Sequence, residues 1–219
     1  MTAIGRTLAP MIDHTLLKAD AGRDQVITLC REARHYGFAA VCVTPVRLVL
    51  AVQYLSDSPV KIATVIGFPL GASTTRSKAF EAREAIKLGA DELYMVLSIG
   101  ALKDKDYDSV ESDIKVVVAA ACGKTVKVIL ECSSLTDSEK ETACKLAVAA
   151  GAHFVKTSTG LAGGATEADV RLMRRVVGER ARVKASGGIR SCREALAMIR
   201  AGASRLGTSA GVAIVSSVS

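Results

Sequence analysis

Tryptophan is absent from this chain, and only four phenylalanines and four tyrosines stand among its 219 residues. A core without large rings must be filled by Ala, Val, Leu and Ile, which suits strands covered by helices on both faces. No Cys-x-x-Cys pair is present. The spacings of Cys30, Cys42, Cys122, Cys132, Cys144 and Cys192 match no zinc pattern, so they read as reduced, mostly buried thiols. That usage points to a reducing compartment and a cytoplasmic protein. His14, His35 and His153 are scattered, and neither a metal centre nor a cofactor is expected. No run approaches the ~20 apolar residues of a membrane span. Met1 to Pro10 lacks the layout of a signal peptide. Linkers and low-complexity tracts are missing too, so residues 1–219 read as one domain.

The formal charge is +7, but dense Lys/Arg runs and basic stretches interleaved with aromatics are lacking. Positive charge spread over helix faces usually serves solvation. A small phosphorylated or aldehydic partner fits this pattern better than nucleic acid or a membrane surface.

What is present is alternation. Short β-rich runs at Met11–Asp13, Ala39–Val43, Lys61–Ile66, Glu92–Leu97, Thr125–Leu130, His153–Lys156, Arg182–Ala185 and Arg205–Gly207 are separated by longer amphipathic ones. Several are continuous apolar runs, as parallel strands buried on both faces require. Helical spacing fills Arg23–Tyr36, Pro45–Leu55, Thr74–Leu88, Tyr107–Cys122, Asp137–Ala150, Thr166–Val177 and Ser191–Ala201. Thr136 and Thr166 open helices in capping fashion, and Gly37, Gly89, Gly151 and Gly202 stop them. Eight such units in this length predict an α/β fold, a single-domain (β/α)8 TIM barrel. An open doubly wound sheet would want a Gly-rich turn after the first strand, and Asp13-His14-Thr15-Leu16-Leu17-Lys18 is not one. The tail after Val212 is short and expected to fray.

Two lysines end apolar strands and are followed at once by small residues: Lys156 in Phe154-Val155-Lys156-Thr157-Ser158-Thr159-Gly160, and Lys184 in Val183-Lys184-Ala185-Ser186-Gly187-Gly188. Charged side chains are rarely buried unless paired or used. Two amines on neighbouring strands lower each other's proton affinity, which makes a lysine nucleophilic near neutral pH. The plainer reading is a pair of lysines snorkelling at the strand edge. Barrel active sites lie at the C-terminal ends of the strands, which gathers Asp13, Cys42, Ser98, Glu131, Cys132, Lys156, Thr157, Lys184 and the loops after strands seven and eight. Ser186-Gly187-Gly188-Ile189-Arg190 and Gly207-Thr208-Ser209-Ala210-Gly211 form a candidate phosphate cup, with a short helix expected after Gly207. The same glycines also serve simple turns. Thr157 to Gly160 would add hydroxyl donors. Reactive lysine without metal points to Schiff-base chemistry, with Lys184 tuning Lys156 or shuttling protons and Asp13 completing a relay. Asp13 reads equally as a turn former, Cys42 as core packing, and Glu131 as an ion-pair partner for the lysines.

The ordered set from Ile12-Asp13-His14-Thr15-Leu16-Leu17-Lys18, through Val65-Ile66-Gly67-Phe68-Pro69-Leu70-Gly71, Gly89-Ala90-Asp91-Glu92 and the two lysine motifs, to Gly207-Thr208-Ser209-Ala210-Gly211-Val212 resembles the 2-deoxyribose-5-phosphate aldolase family over nearly the whole chain. The resemblance implies a class I aldolase that cleaves 2-deoxy-D-ribose 5-phosphate reversibly to D-glyceraldehyde 3-phosphate and acetaldehyde. It implies Lys156 as the Schiff-base lysine and Lys184 as the tuning lysine. Gly187, Gly188, Arg190, Gly207 and Ser209 are implied as phosphate-binding, with Asp13 and Cys42 in lesser roles. The chain departs from the family at Tyr94, where the family has a relay aspartate, at Ser98 and Cys132, and in lacking a terminal tyrosine. Tyr94 is expected to fill space at the mouth and to leave Lys184 unpartnered. These changes suggest a pocket remade for another carbonyl substrate, a lysine-dependent carboligase with reduced native activity. A barrel that binds sugar phosphate without turnover is the third reading. A homodimer is the expected assembly.

Overall fold

The computed structural model describes residues 1–217. Eight parallel strands close into a barrel in chain order: β1 Ile12–Leu16, β2 Ala40–Val43, β3 Lys61–Ile66, β4 Glu92–Val96, β5 Thr125–Ile129, β6 Phe154–Lys156, β7 Arg182–Ser186 and β8 Arg205–Thr208. Closure comes from β8 pairing with β1, Gly207 opposite Asp13. The result is a single-domain (β/α)8 barrel, as the alternation predicted.

The helices around it are α1 Ala3–Leu8, α2 Arg23–Tyr36, α3 Leu48–Leu55, α4 Thr75–Lys87, α5 Ile99–Lys103, α6 Tyr107–Ala120, α7 Asp137–Ala149, α8 Glu167–Val177, α9 Cys192–Arg200 and α10 Gly211–Ser216. Their starts are chemically marked. Thr136 and Ser191 form capping boxes with Glu139 and Glu194, and Thr166 accepts from the Asp169 N–H. Each such cap satisfies a helix donor that would otherwise lack a partner. Gly37 ends α2 in the left-handed region, φ 69°, where a side chain would be strained.

Two short helices, α1 and α5, carry too few turns for periodicity to reveal. The tail does not fray where expected. Instead α10 buries Ile214 and Val215, and the Val215 carbonyl accepts from the Thr2 N–H at 3.2 Å. The last two residues of that expectation, 218 and 219, lie outside the described part of the chain.

Strand alternation divides the core. Outward residues pack with the helices in one large apolar layer. Inward residues include a small cluster of Cys42, Ala63, Val65, Tyr94, Val96 and Ile129. Much of the remaining interior is charged, with the Phe154 ring 4.5 Å from Lys127 Nζ. Outside the barrel, Lys78 of α4 is also fully buried: its Nζ donates to Asp113 Oδ2 at 2.6 Å and to the Val96 carbonyl at 3.1 Å. This pair ties α4 and α6 to the end of β4.

Candidate active site

β1 runs three residues further than expected, to Leu16. Asp13 therefore points into the barrel rather than out of its mouth, and it becomes the hub of a buried charge cluster. Asp13 Oδ1 accepts from Arg205 Nε at 2.8 Å. Asp13 Oδ2 accepts from Lys127 Nζ at 3.0 Å, from the Tyr94 hydroxyl at 2.7 Å and from Lys184 Nζ. Glu92 lies beside it, 2.8 Å from Lys127 Nζ and 3.2 Å from Arg205. Three cations thus share two carboxylates, all of them buried except Arg205, which is partly exposed.

Sequence reading missed Lys127, Glu92 and Arg205. Lys127 sat in an otherwise apolar strand, Thr125-Val126-Lys127-Val128-Ile129, and a charge inside such a run was a usable signal. Glu92 and Arg205 open their strands, where charge is ordinary.

The surplus of positive charge sets the proton affinities. Asp13 is held well below the usual carboxylate range by Lys127, Lys184 and Arg205, which together outweigh its burial. Burial pushes Lys184 down to about 7; Lys127 and Lys156 act in the same sense, and Asp13 only partly offsets them. Burial likewise lowers Lys156. Tyr94 is raised well above an ordinary phenol by burial and by the Asp13 and Glu92 charges.

Lys156 differs from the other barrel amines. It stands opposite Lys184 in the β6–β7 register and is only 3% exposed, yet no ion pair or hydrogen bond engages it among the described residues. It lies on the wall of a cavity of about 250 Å³ at the C-terminal ends of the strands. Gly160, Gly187, Gly188, Arg190, Gly207 and Ser209 line the same cavity, as do Lys18 and Phe68. Lys18 is a further cation that the sequence placed in a motif but not in the site.

The glycines there differ in purpose. Gly187 sits at φ 91°, and a Cβ on it would meet the Gly163 carbonyl oxygen at 2.7 Å. A Cβ on Gly207 would meet Lys184 Cε at 2.9 Å, so this glycine makes room for the lysine as well as for the cavity.

Several expected site residues fall elsewhere. Cys42 is fully buried in the inner cluster beneath the cavity, and Asp13 and Lys184 also lie below the cavity wall. Thr157 is fully buried. Its hydroxyl donates to the Ser186 carbonyl and accepts from the Ser186 N–H, each at 3.0 Å, which stitches β6 to β7 outside the cavity lining. Cys132 faces outward because Glu131 before it turns left-handed at φ 57°; its thiol contacts Met173 at 3.7 Å. Ser98 precedes α5 and does not line the cavity.

Tyr94 is not at the mouth either. It is fully buried in the barrel, with its hydroxyl on Asp13 at 2.7 Å and Glu92 at 2.9 Å. Nor does it strip Lys184 of a partner, because Asp13 fills that role. The three departures expected to remake the pocket therefore leave its wall untouched. Among the described residues Glu131 pairs with no lysine. It accepts instead from the Thr159 N–H at 3.2 Å and from the Thr159 hydroxyl, which anchors the loop carrying Gly160.

A cavity amine without an anionic partner, beside glycine turns and two exposed cations, can condense with a carbonyl compound that carries an anionic group. Residues 7–217 match the model of the DeoC/LacD family aldolases. A deoxyribose-phosphate aldolase of Halalkalibacterium halodurans is 59% identical over 97% of this chain and 96% of its own length. Among solved structures, one classed as a deoxyribose-phosphate aldolase from Coccidioides immitis superposes with a TM-score of 0.95 at 46% identity, covering 98% of this chain and 86% of that one. The tetrameric deoxyribose phosphate aldolase of Aeropyrum pernix gives 0.90 at 35% identity, over 96% and 90% of the two chains. Matched to the family model over residues 7–217 and to full-length relatives at well above a third identity, the chain belongs to the DeoC/LacD aldolase family.

Proposed function

We propose that this chain is a deoxyribose-phosphate aldolase, a class I carbon–carbon lyase that interconverts 2-deoxy-D-ribose 5-phosphate with D-glyceraldehyde 3-phosphate and acetaldehyde. The observation that carries the reading is Lys156, unpaired on the cavity wall opposite the phosphate-type loops. The names and near full-length identity of the curated relatives support the substrate.

In this reading the neutral Lys156 amine attacks the open-chain sugar's aldehyde carbon, a C–N bond forms and water leaves. The resulting iminium withdraws electrons. The bond between the second and third sugar carbons breaks, its electron pair moves into the iminium to give an enamine, and the proton of the third carbon's hydroxyl passes to a base. Glyceraldehyde 3-phosphate departs. The enamine carbon then takes a proton, and water releases acetaldehyde and the free amine. Lys184, poised at about 7, has the proton affinity a shuttle needs at neutral pH. Gly187, Gly188, Arg190 and Ser209, with Lys18, bind the phosphate in this reading. Asp13 holds Lys184 and Lys127 in place.

Borohydride reduction after incubation with acetaldehyde tests this. The peptide bearing Lys156 should carry the reduced ethyl group. An adduct elsewhere, or none, would remove the Schiff-base reading; saturable phosphate-sugar binding without adduct would leave a binding barrel.

The phosphate assignment has its own test. Gly187→Ala forces a side chain against a backbone carbonyl and into a left-handed backbone, so the loop must move. Losing one or two charge-assisted hydrogen bonds costs about 1.5–3 kcal/mol each, so KM for the phosphorylated sugar should rise at least about tenfold. Turnover of unphosphorylated 2-deoxyribose should change far less. Equal losses on both substrates would mean that the loop does not read phosphate.

A homodimer is the assembly we propose, in keeping with the prevalence of twofold symmetry; light scattering on the purified chain decides it. The cytoplasm is the proposed location. Six free thiols favour a reducing compartment, and among the described residues no helix is long and apolar enough to cross a membrane.

A further inference from the structure

Glu131 stands just past β5 in the left-handed region, φ 57°. That conformation costs a residue with a side chain free energy, and it is kept most often at functional sites. The backbone is held there by the Cys132 N–H on the Thr157 carbonyl and the Ser134 N–H on the Glu131 carbonyl, each at 2.9 Å. The residue is buried, yet among the described residues no cation pairs with its carboxylate. Oε1 is buried without a partner. Oε2 accepts from the Thr159 N–H at 3.2 Å and from the Thr159 hydroxyl. A buried carboxylate that serves only the fold is ordinarily paired with a cation. This one spends its charge on a single residue, and that residue lies on the cavity wall beside Lys156 and Gly160.

We propose that Glu131 is a positioning residue that fixes the Thr159 hydroxyl oxygen as a hydrogen-bond acceptor toward the cavity, where it reads the hydroxyl on the fourth carbon of the bound sugar phosphate. This inference rests on the aldolase reading and deepens it.

The polarity follows from counting. A hydroxyl has one proton to donate and two lone pairs to accept with. The Thr159 proton goes to Glu131 Oε2, and one lone pair takes the Leu161 N–H at 3.2 Å. The second lone pair is all that this side chain has left for a molecule in the cavity. A carboxylate only accepts, so the bond between the two residues cannot reverse and turn Thr159 into a donor. Its charge also polarises the hydroxyl and strengthens the oxygen as an acceptor. The choice of hydroxyl follows from position. Gly160, next to Thr159, abuts the phosphate-type loop: a Cβ on it would meet Gly187 Cα at 3.7 Å. Thr159 therefore lies on the phosphate side of Lys156. A sugar joined to Lys156 through its first carbon, with its fifth-carbon phosphate at Gly187 to Arg190, passes its fourth carbon along this side. That carbon keeps its hydroxyl while the bond between the second and third carbons breaks, so a fixed acceptor suits substrate and product alike.

The test is aldol addition of acetaldehyde to two acceptors, D-glyceraldehyde 3-phosphate and 3-oxopropyl phosphate, which has the same chain without the hydroxyl. The readout is the ratio of their kcat/KM values, because harm to Lys156 or to the phosphate loops falls on both alike. The unaltered chain should favour the hydroxylated acceptor by about tenfold or more. Thr159→Val should remove most of that preference, and so should Glu131→Met. Thr159→Ser keeps the hydroxyl and Glu131→Gln keeps an acceptor oxygen, so both should hold the ratio to within about threefold of the unaltered chain. Glu131→Met combined with Thr159→Val should lower the ratio no further than Thr159→Val alone, since the one residue acts through the other. If Glu131→Met fails to fold, Glu131→Asp, whose carboxylate is one methylene short of Thr159, takes its place. A ratio near one in the unaltered chain, equal losses on both acceptors in the variants, or additive losses in the double variant would overturn the proposal. Absence of turnover on either acceptor, with no borohydride-trapped acetaldehyde on Lys156, would instead sink the aldolase reading on which it stands.

Discussion

Lys156→Met is expected to reduce kcat/KM for deoxyribose-phosphate cleavage by at least about 10⁴-fold, a loss of the size seen when a covalent nucleophile is removed. The same variant should be at least as thermally stable as the unaltered protein. Both halves follow from one feature of the site: Lys156 is nearly buried, yet no carboxylate or carbonyl is held by it among the described residues. A buried amine without an anion is an unfavourable arrangement for the fold. Methionine has a similar length and no charge, so the substitution removes a desolvation penalty and orphans no partner. Active sites commonly store this kind of destabilisation, and removing it raises stability as it destroys function. Steady-state kinetics and a thermal melt on the same preparation check the prediction. Activity within tenfold of the unaltered enzyme would exclude Lys156 as the nucleophile. A clear drop in Tm would show that the amine has a structural partner.

Asp13→Asn is expected to do the opposite, with its largest effect on the fold. The carboxylate touches Lys127, Lys184 and Arg205 at once and is wholly buried. Removing one side of a buried ion pair leaves an uncompensated charge and costs about 3–5 kcal/mol. The cost here should fall in the upper part of that range, since three cations lose a partner and Glu92 alone remains. Urea unfolding measures it; a loss below 1 kcal/mol would mean that the cluster is far more hydrated than its burial implies.

The pH dependence adds a second readout. The folded pKa of Asp13 is depressed, so its stabilisation is fully present above the unfolded value of 3.8. It is lost as pH falls below 3.8 toward the folded pKa. The variant should lack that acid-limb decline. Lys184 works in the alkaline direction. Its folded pKa of about 7 lies below the unfolded 10.5, so the unfolded chain binds the extra proton between those values and stability rises with pH across that window. In Asp13→Asn the Lys184 window should open at a lower pH, because the one charge that favoured its ammonium form is gone.

The two substitutions therefore separate the residues of the barrel by function. The lysine on the cavity wall should be removable without harm to the fold. The aspartate beneath it, which contacts Lys184, should not be. The parallel course of β6 and β7 places Lys156 and Lys184 side by side, and the difference in their surroundings arises from the strands across the barrel.

Much of this was visible in the chain before folding. Alternating apolar runs and capped amphipathic segments marked all eight strands and seven of the helices, because strand and helix periodicities are local properties. Glycine stops after helices and threonine starts before them are local too. Lys156 and Lys184 could be singled out because each ends an apolar run, and a charge in that position has few ordinary explanations. The loops at Gly187–Arg190 and Gly207–Ser209 were legible as glycine turns at the ends of adjacent strands.

What could not be read was who meets whom across the barrel. Alternation shows that Asp13, Glu92, Tyr94, Lys127 and Lys184 share one parity with their strands. It does not show how far each strand is staggered when the sheet closes, and that stagger decides which residues share a layer. A three-residue difference in the end of β1 moved Asp13 from the mouth to the centre of the charge cluster. One left-handed residue, Glu131, turned Cys132 away from the site. The hydroxyl of Thr157 looked available until the neighbouring strand supplied its partners. Neighbours along the chain sufficed to mark the elements, their order and the two lysines that end apolar strands. Only the tertiary structure decided which amine was left unpaired, because the electrostatics of a closed barrel depend on charges brought together from strands far apart in sequence.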